Sequence, residues 1–215
     1  MTEAVVIVGA GGFAREVLDV VDAINKSVPG PLFKVLGVVD PNPSITNLAL
    51  LKQRGVPYLG TDEHWFASQQ IARFVLGIGD PSTRRRIDER YEENEQLAAP
   101  ALIHPLSQFG GSTHPKVGSV ICGGVHISTN VFIDKHVHLN PNATIGNDVT
   151  LMRYVSVNPG AIISNEALLE EGSLVGAGAY VAEKVRIGSF STIGASSCVL
   201  QDVAAGAVVK GVPAY

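Results

Sequence analysis

Apolar residues recur at every sixth position through the carboxyl-terminal half of the chain. Between positions 121 and 199, fourteen consecutive positions at this spacing hold only isoleucine, leucine or valine. Helices repeat every 3.6 residues and strands every 2, so neither element alone selects every sixth position. A six-residue repeat is typical of a parallel β-helix, in which each hexad forms one flat face and one turn. The pattern therefore predicts that about half of the chain is a three-sided prism.

Other positions in each hexad are also specialised. The residue two places before each aliphatic position is small or β-branched, as at Val125 and Ala143, and we expect it to face inward near a corner. The residue after the aliphatic position often tolerates positive φ, so we expect it to make the corner turn. These residues are Asp134, Asn140, Gly146, Asn158, Gly176, Gly188 and Gly194. The uninterrupted repeat predicts between four and five coils, with no long loop between them.

A different pattern occupies the first hundred residues. An apolar run at 3–8 is followed by a glycine-rich turn at 9–12 and by helically spaced apolar residues over 15–24. Further buried strands are indicated at 34–39 and 73–78. Strands that alternate with helices predict a Rossmann-like parallel, doubly wound sheet, whose ligands bind beyond the carboxyl ends of the strands.

The chain therefore divides near residue 100, where the period and the composition change. We expect a Rossmann-like α/β domain over 1–100 and an all-β domain, a parallel β-helix, over 101–215. After the third predicted strand, Asp80 and Pro81 suit the N-cap and the first turn of a helix. Arg84, Arg85 and Arg86 on that helix are expected to form a solvated face.

The glycine turn has a second interpretation. Gly9, Gly11 and Ala14 match one version of the dinucleotide fingerprint, but Asp40 follows about thirty residues later, where about twenty is usual. The turn could hold a nucleotide of some kind, hold a nicotinamide cofactor, or be purely structural. The sequence alone leaves these alternatives open.

Composition and charge exclude several classes. A net charge of −4 offers no electrostatic footprint for nucleic acid. No stretch approaches the roughly twenty apolar residues of a membrane span, and the start lacks a secretory signal, so we expect a cytoplasmic protein. Cys122 and Cys198 are expected to be buried thiols without a disulfide. The six histidines show no metal-ligand spacing, so no metal is expected.

Several segments together resemble the sugar O-acyltransferases of the NeuD and PglD type, in the hexapeptide-repeat acyltransferase superfamily. The resemblance covers essentially the whole chain. It rests on VVIVGAGGFAREVLDVV near the start, LGVVDP, GIGDPSTRRRI, LIHP at 102–105, the hexads, and VVKGVPA at 208–214. It implies a homotrimer of left-handed β-helices, with acyl-CoA in the groove between adjacent prisms. It also implies that the amino-terminal domain binds a nucleotide-linked sugar, whose amino or hydroxyl group is acetylated.

The resemblance also implies site residues. The nucleotide would be held by Gly11, Gly12 and Phe13, with Asp40 and Gly79 nearby.

The resemblance further implies that three residues of the prism contact coenzyme A. These are Ser156, Ala177 and Ala195.

The chain departs from the family at the catalytic position. Related sequences carry a histidine and an acid after an Ile-Gly pair, whereas here Gly146 is followed by Asn147 and Asp148. A histidine there would act as general base, but asparagine accepts no proton at neutral pH. Asp148 remains as a catalytic candidate and Asn140 as a substrate contact. Asn147 could be an engineered replacement, a natural variant whose amine nucleophile needs only positioning, or a sign that acyl transfer was lost.

We therefore expect an acetyl-CoA-dependent acetyltransferase that modifies the amino or hydroxyl group of a nucleotide-linked sugar. The alternative is a catalytically silent trimer that binds nucleotide sugar or coenzyme A and supports a partner enzyme. A nicotinamide oxidoreductase is a third hypothesis, which the prism argues against. His104 is expected to be structural, at the beginning of the prism. The other histidines of the prism, His114, His126, His136 and His138, are expected on the solvated surface.

Overall fold

The computed structural model describes residues 2–215. Its amino-terminal part alternates three strands with four helices. In chain order these are β1 (Glu3–Val8), α1 (Gly12–Lys26), β2 (Phe33–Val39), α2 (Ile45–Gln53), α3 (Asp62–Ala67), β3 (Arg73–Leu76) and α4 (Pro81–Glu93).

The three strands form a parallel sheet in the order β2-β1-β3. Alternate residues of β1 serve opposite sides of the sheet: Val5 and Ile7 pack towards α1, while Val6 and Val8 pack towards α3 and α4. Apolar layers on both sides confirm the predicted doubly wound α/β arrangement. Asp80 is the N-cap of α4, as predicted, and accepts a 2.7 Å hydrogen bond from the Thr83 backbone N–H.

Two-residue strands build the prism as three flat faces. The first face stacks β4 (Leu102–Ile103), β6 (Val120–Ile121), β9 (His138–Leu139), β12 (Ser156–Val157), β15 (Leu174–Val175), β18 (Thr192–Ile193) and β20 (Val208–Val209). The second stacks β5 (Gln108–Phe109), β7 (His126–Ile127), β10 (Thr144–Ile145), β13 (Ile162–Ile163), β16 (Tyr180–Val181) and β19 (Cys198–Val199). The third stacks β8 (Phe132–Ile133), β11 (Thr150–Leu151), β14 (Leu168–Leu169) and β17 (Arg186–Ile187).

The fold class predicted from the hexads is confirmed: a parallel α/β domain precedes a β-helix of the left-handed class. Every pairing between coils is parallel, and the aliphatic residue of each hexad is buried in one continuous core. Seven strands stack in the first face, so the chain completes six coils, more than predicted. The additional coils arise because Ile103 and Phe109 continue the six-residue count before position 121, and Val209 extends the first face after position 199.

The prediction for the corner residues was wrong. Positive φ occurs three residues after each aliphatic position from Ile121 to Ile193, for example at Asn130 (57°), Asn142 (61°) and Asp148 (59°). Seven residues directly after an aliphatic position were expected to adopt positive φ, and none of them does so. They are Asp134, Asn140, Gly146, Asn158, Gly176, Gly188 and Gly194.

Glycine is needed at some of these positions because the next coil approaches closely. A Cβ at Gly146 would lie 2.5 Å from Asn165 Oδ1, and one at Gly176 would lie 2.6 Å from the Ala195 backbone nitrogen. Such distances are far inside van der Waals contact, so the coils could not stack at their present spacing. The repeat therefore encodes close packing between coils at these positions.

Replacing Gly176 by alanine is expected to lower the free energy of unfolding by about 1–3 kcal/mol, because the added methyl overpacks the contact with Ala195. Gly111→Ala is the matched control, since its Cβ would meet only Thr129 Oγ1 at 3.8 Å. Thermal unfolding of the two variants checks this. Equal melting temperatures would contradict the packing explanation.

The α/β domain covers the outside of the first four strands of the first face. In each prism strand the second residue points inward and the first points outward. On the first face, however, the outward residues Leu102, Val120, His138 and Ser156 are also buried. Leu102 and Val120 share an apolar cluster with α1. The two parts of the chain therefore pack along one side of the prism.

Candidate functional site

The glycine turn, Asp40 and Gly79 lie at the carboxyl edge of the sheet, after β1, β2 and β3 respectively. Gly11 is the N-cap of α1 and supplies no side-chain cap. Asp40 shapes the turn: Oδ2 accepts a 2.7 Å bond from the Ala10 N–H, and Oδ1 accepts a 2.8 Å bond from the Asn42 N–H. The free N–H groups of the first turn of α1 therefore remain available to an anion such as a diphosphate.

Phe13 points from this turn to the prism. Its ring stacks on His138 with the centroids 4.4 Å apart. The predicted nucleotide-binding turn thus rests directly on the first face.

Arg84 joins the carboxyl edge of the sheet to the prism. One terminal nitrogen of its guanidinium donates to the carbonyl of Gly79, and the other donates to the carbonyl of Tyr154 (2.5 Å) and to Ser156 Oγ (2.9 Å). Burial lowers the pKa of Arg84 to about 9, against the opposing effect of Asp80, so the group stays charged at neutral pH. The prediction of a solvated arginine face holds for Arg85 and Arg86 but is wrong for Arg84, which is fully buried.

Asp88, one helical turn further along α4, holds a second set of prism residues. Its carboxylate accepts a 2.5 Å hydrogen bond from Tyr154 Oη and lies 2.8 Å from His136 Nε2 and 3.0 Å from Lys135 Nζ. Burial opposes the ionisation of Asp88, but the interactions with these three groups outweigh it and lower its pKa to about 2. His136 is therefore buried between the domains, and its predicted place on the solvated surface was wrong.

Sequence reasoning missed this junction, although one signal was present. His136 and Tyr154 occupy left-handed corner positions, with φ of 56° and 61°. Such positions favour Gly, Asn or Asp. Bulky aromatic residues there indicate that something outside the prism covers the corner.

His138 also lies in the junction, and the surface prediction for it was wrong as well. It is 1% exposed, and neither ring nitrogen has a hydrogen-bond partner within residues 2–215. Burial, with the nearby Arg84 charge, lowers its pKa well below the usual value. The imidazole is therefore neutral at physiological pH. His114 and His126 are exposed, as predicted.

The buried His138 predicts acid sensitivity. Below about pH 6.5 the unfolded chain binds a proton that the folded chain does not. The free energy of unfolding therefore decreases as the pH is lowered, by up to about 1.4 kcal/mol per pH unit. The loss continues down to the lowered pKa of the folded state. His138→Leu is expected to flatten the dependence between pH 6.5 and 5, whereas the exposed control His126→Leu retains the wild-type slope. Urea unfolding across this range checks the difference, and identical slopes for both variants would exclude His138 as the cause.

Asn147 and Asp148 lie together on the second corner (146–149 and its equivalents), which joins the second face to the third. Asn147 Nδ2 donates to Asp148 Oδ2 at 2.5 Å, and Asn130 Nδ2 donates to Asp148 Oδ1 at 3.1 Å. Hydrogen bonds from Asn147 and then Asn130 lower the pKa of Asp148. The Asn147 backbone N–H donates to Asn165 Oδ1 in the next coil. This corner therefore carries an anionic amide-carboxylate cluster without a base of neutral pKa.

The remaining predicted residues lie elsewhere. Asn140 is on the first corner (140–143 and its equivalents), which joins the first face to the second, and its side chain donates to the Val157 carbonyl and to Asn158 Oδ1. Ala177 and Ala195 are exposed on the same corner, in successive coils. Ser156 is only 2% exposed beneath Arg84, so its hydroxyl is not accessible to a ligand in this arrangement.

Within one chain, the second face therefore separates the Asn147–Asp148 pair from the predicted coenzyme A residues. Among the described residues, no cluster of His, Cys, Asp and Glu could hold a metal ion. No helix within 2–215 has the length and apolar character needed to cross a membrane. Cys122 is buried, Cys198 is half-buried, and both are free thiols.

Residues 4–91 match the family described as the PglD N-terminal domain. The match covers most of the α/β domain. The predicted resemblance to proteins of the NeuD and PglD type is thereby confirmed. No curated protein matches the chain by sequence.

Solved structures resemble the α/β domain and the prism together. PerB from Caulobacter crescentus, in complex with CoA and GDP-perosamine, has a TM-score of 0.86 at 25% identity, covering 100% of this chain and 97% of that one. A histidine-to-asparagine mutant of the perosamine N-acetyltransferase from the same organism, also with CoA and GDP-perosamine, gives 0.85 at 25% identity over the same shares. The acetyltransferase domain of PglB from Neisseria gonorrhoeae, in complex with acetyl coenzyme A, gives 0.84 at 24% identity, covering 100% and 99%.

Proposed function

We propose that this protein is an acetyl-CoA-dependent acetyltransferase that modifies the amino group, or a hydroxyl group, of a nucleotide-linked sugar. The observation that carries the proposal is the likeness over the full chain to PerB and to a perosamine N-acetyltransferase mutant, both in complex with CoA and GDP-perosamine. Both halves of this chain take part in that likeness. A reaction in the cytoplasm stays a prediction.

The geometry supports binding of the two substrates by different domains. The nucleotide diphosphate would lie at the N-terminus of α1, beside Gly11 and Gly12, where free N–H groups favour an anion. Coenzyme A would follow the exposed first corner past Ala177 and Ala195. Since the second face keeps Asn147 away from that corner, a complete site would need the second corner of a neighbouring copy. A homotrimer of prisms supplies such a pairing.

The chemistry would then depend on positioning. The lone pair of the sugar amine attacks the thioester carbonyl, the C–N bond forms, and the C–S bond breaks to release the coenzyme A thiolate. The proton lost by nitrogen passes to solvent, because Asn147 cannot accept it and Asp148, with its lowered pKa, is a weak base. Holding the reactants together contributes to the rate independently of a base. We therefore expect slow turnover.

The test is release of free thiol from acetyl-CoA in the presence of nucleotide-linked 4-amino sugars. Slow release that depends on the sugar supports the proposal. If neither the wild type nor a variant with a histidine at position 147 releases thiol with any acceptor, the proposal that the protein is an acetyltransferase is overturned. A monomer at micromolar concentration by light scattering would contradict a shared site.

The second candidate is a silent trimer that binds nucleotide sugar or coenzyme A and supports a partner enzyme. The hydrogen bonds that tie Asn147 to Asp148 and Asn165 favour it, because they give the residue a structural role between coils. Binding of both ligands by calorimetry without any thiol release would support this candidate.

A further inference from the structure

The contact between Phe13 and His138 links the start of α1 to the prism. Phe13 is the second residue of α1, and its ring lies at 26° to the imidazole, with the centroids 4.4 Å apart. Nearly parallel rings at this separation attract each other beyond the area that they bury. The position of Phe13, and with it the direction of the first N–H groups of α1, therefore depends on a residue of the prism.

The stack fixes a part of the glycine turn that packing leaves open. A Cβ at Gly11 would meet no atom within 4 Å, and Gly11 supplies no side-chain cap to α1. On the side of the sheet, Asp40 holds the turn by accepting the Ala10 N–H. On the side of the prism, the contact of Phe13 with His138 holds it. The two ties together fix both ends of the open segment.

The stability of the interface does not explain a histidine at position 138. His138 is 1% exposed, and neither ring nitrogen has a hydrogen-bond partner within residues 2–215. A buried polar group without a partner keeps its full desolvation penalty. Val120, which pairs with His138 in the preceding coil, fills the equivalent position with an apolar side chain that has no such penalty. The stack on Phe13 gives the ring a reason to be there.

The next strand of the first face holds a second loop of the carboxyl edge. Ser156 pairs with His138 in the register of β12 and β9, so the two residues are about 4.8 Å apart along the face. Ser156 Oγ accepts a hydrogen bond from Arg84, which also donates to the carbonyl of Gly79. Two adjacent prism residues thus reach the segments after β1 and β3, where the nucleotide is predicted to bind.

We propose that His138 is a positioning residue of the nucleotide site, whose ring holds Phe13 so that the free N–H groups at the start of α1 point at the diphosphate. The inference rests on the proposed function and adds a role for the prism in it: the prism shapes the site of the α/β domain. His138 does not touch the nucleotide, because it is buried against Phe13. Its effect on binding therefore passes through Phe13.

The test is a double-mutant cycle on nucleotide affinity, measured by titration calorimetry with UDP, GDP and dTDP. His138→Leu is expected to weaken binding of the nucleotide that the wild type prefers by about three- to tenfold, the size of an aromatic stacking contribution. Phe13→Leu removes the same stack and should weaken binding by a similar factor. The double variant should lose no more than either single variant, because one contact can be removed only once. Unchanged affinity for coenzyme A in all three variants excludes unfolding as the cause.

Leu102→Val is the control for a general loosening of the interface. Leu102 is fully buried on the same face and belongs to the apolar cluster with α1. It lies two coils, about 10 Å, from His138. The truncation weakens the packing between the domains without touching the stack, so nucleotide affinity should stay at the wild-type value.

The outcomes separate the inference from the proposed function. If the wild type binds none of the nucleotides, the proposed function fails and the inference fails with it. If a nucleotide binds and His138→Leu binds it equally well, the positioning role is refuted while the acetyltransferase proposal stands.

Three further results would refute the positioning role alone. Losses that multiply in the double variant would mean that His138 acts independently of Phe13. An equal loss in Leu102→Val would mean that any weakening of the interface suffices. Complete loss of binding in Phe13→Leu would mean that Phe13 contacts the nucleotide directly and that orienting the turn is not its main role.

Discussion

Asn147→His is expected to increase the rate of acetyl transfer about 100-fold or more, because general base catalysis typically contributes a factor of this size. The second corner provides a suitable environment for a histidine. Asn147 is half-buried and lies against Asp148, whose carboxylate would orient the imidazole and raise its basicity. The rate should rise with pH through the histidine pKa, since only the neutral ring accepts a proton. Thiol release from acetyl-CoA, measured with a saturating amino sugar conjugate, checks both effects.

Asn165→His is the matched control for this experiment. Asn165 lies on the same corner one coil away and accepts the backbone N–H of Asn147. A histidine there adds the same group outside the predicted catalytic position, so no gain is expected. Equal gains in the two variants would show that any nearby base suffices, and no gain in Asn147→His would favour the silent trimer.

Arg84→Met is expected to lower the free energy of unfolding by about 3–5 kcal/mol. Methionine roughly preserves the volume but removes every donor of the guanidinium, so the carbonyls of Gly79 and Tyr154 and the hydroxyl of Ser156 lose a buried partner. Each orphaned polar group carries its full desolvation cost. Because these bonds cross between the domains, the α/β domain should also unfold at lower urea concentration than the prism.

Arg86→Met, on the same helix, is the control for Arg84→Met. Arg86 is exposed, and its replacement is expected to change stability by no more than about 0.5 kcal/mol. Urea unfolding followed by circular dichroism compares the two variants. A urea midpoint for Arg84→Met equal to that of wild type would mean that water replaces the guanidinium. The hydrogen bonds of Arg84 between the domains would then contribute little to stability.

Local patterns predicted the elements well. The hexads identified the inward residues of the prism from Ile121 to Val199, and the apolar run followed by a glycine turn located β1 and α1. Asp80 was recognised as an N-cap from its own residue type and the proline after it. In each case the physical cause acts within a few residues, or between neighbouring coils that repeat the same pattern.

The errors share a different cause. His136, His138 and Arg84 were expected in solvent because the period shows which side of a prism or helix a residue is on, and polar residues on an outer side are usually solvated. It does not show what covers that side. The α/β domain packs against the first four strands of the first face, and the three side chains are therefore buried together with Asp88 and Tyr154.

The sequence by itself determined the two architectures, the inward-facing core of the prism and the glycine turn at the start of α1, because these follow from residue periods and local backbone preferences. The tertiary structure alone decided how the domains dock, why glycine is required at Gly146 and Gly176, and that His138 stacks on Phe13 at the start of α1. These features arise where segments far apart in the chain meet. No local pattern contains the distance between such segments.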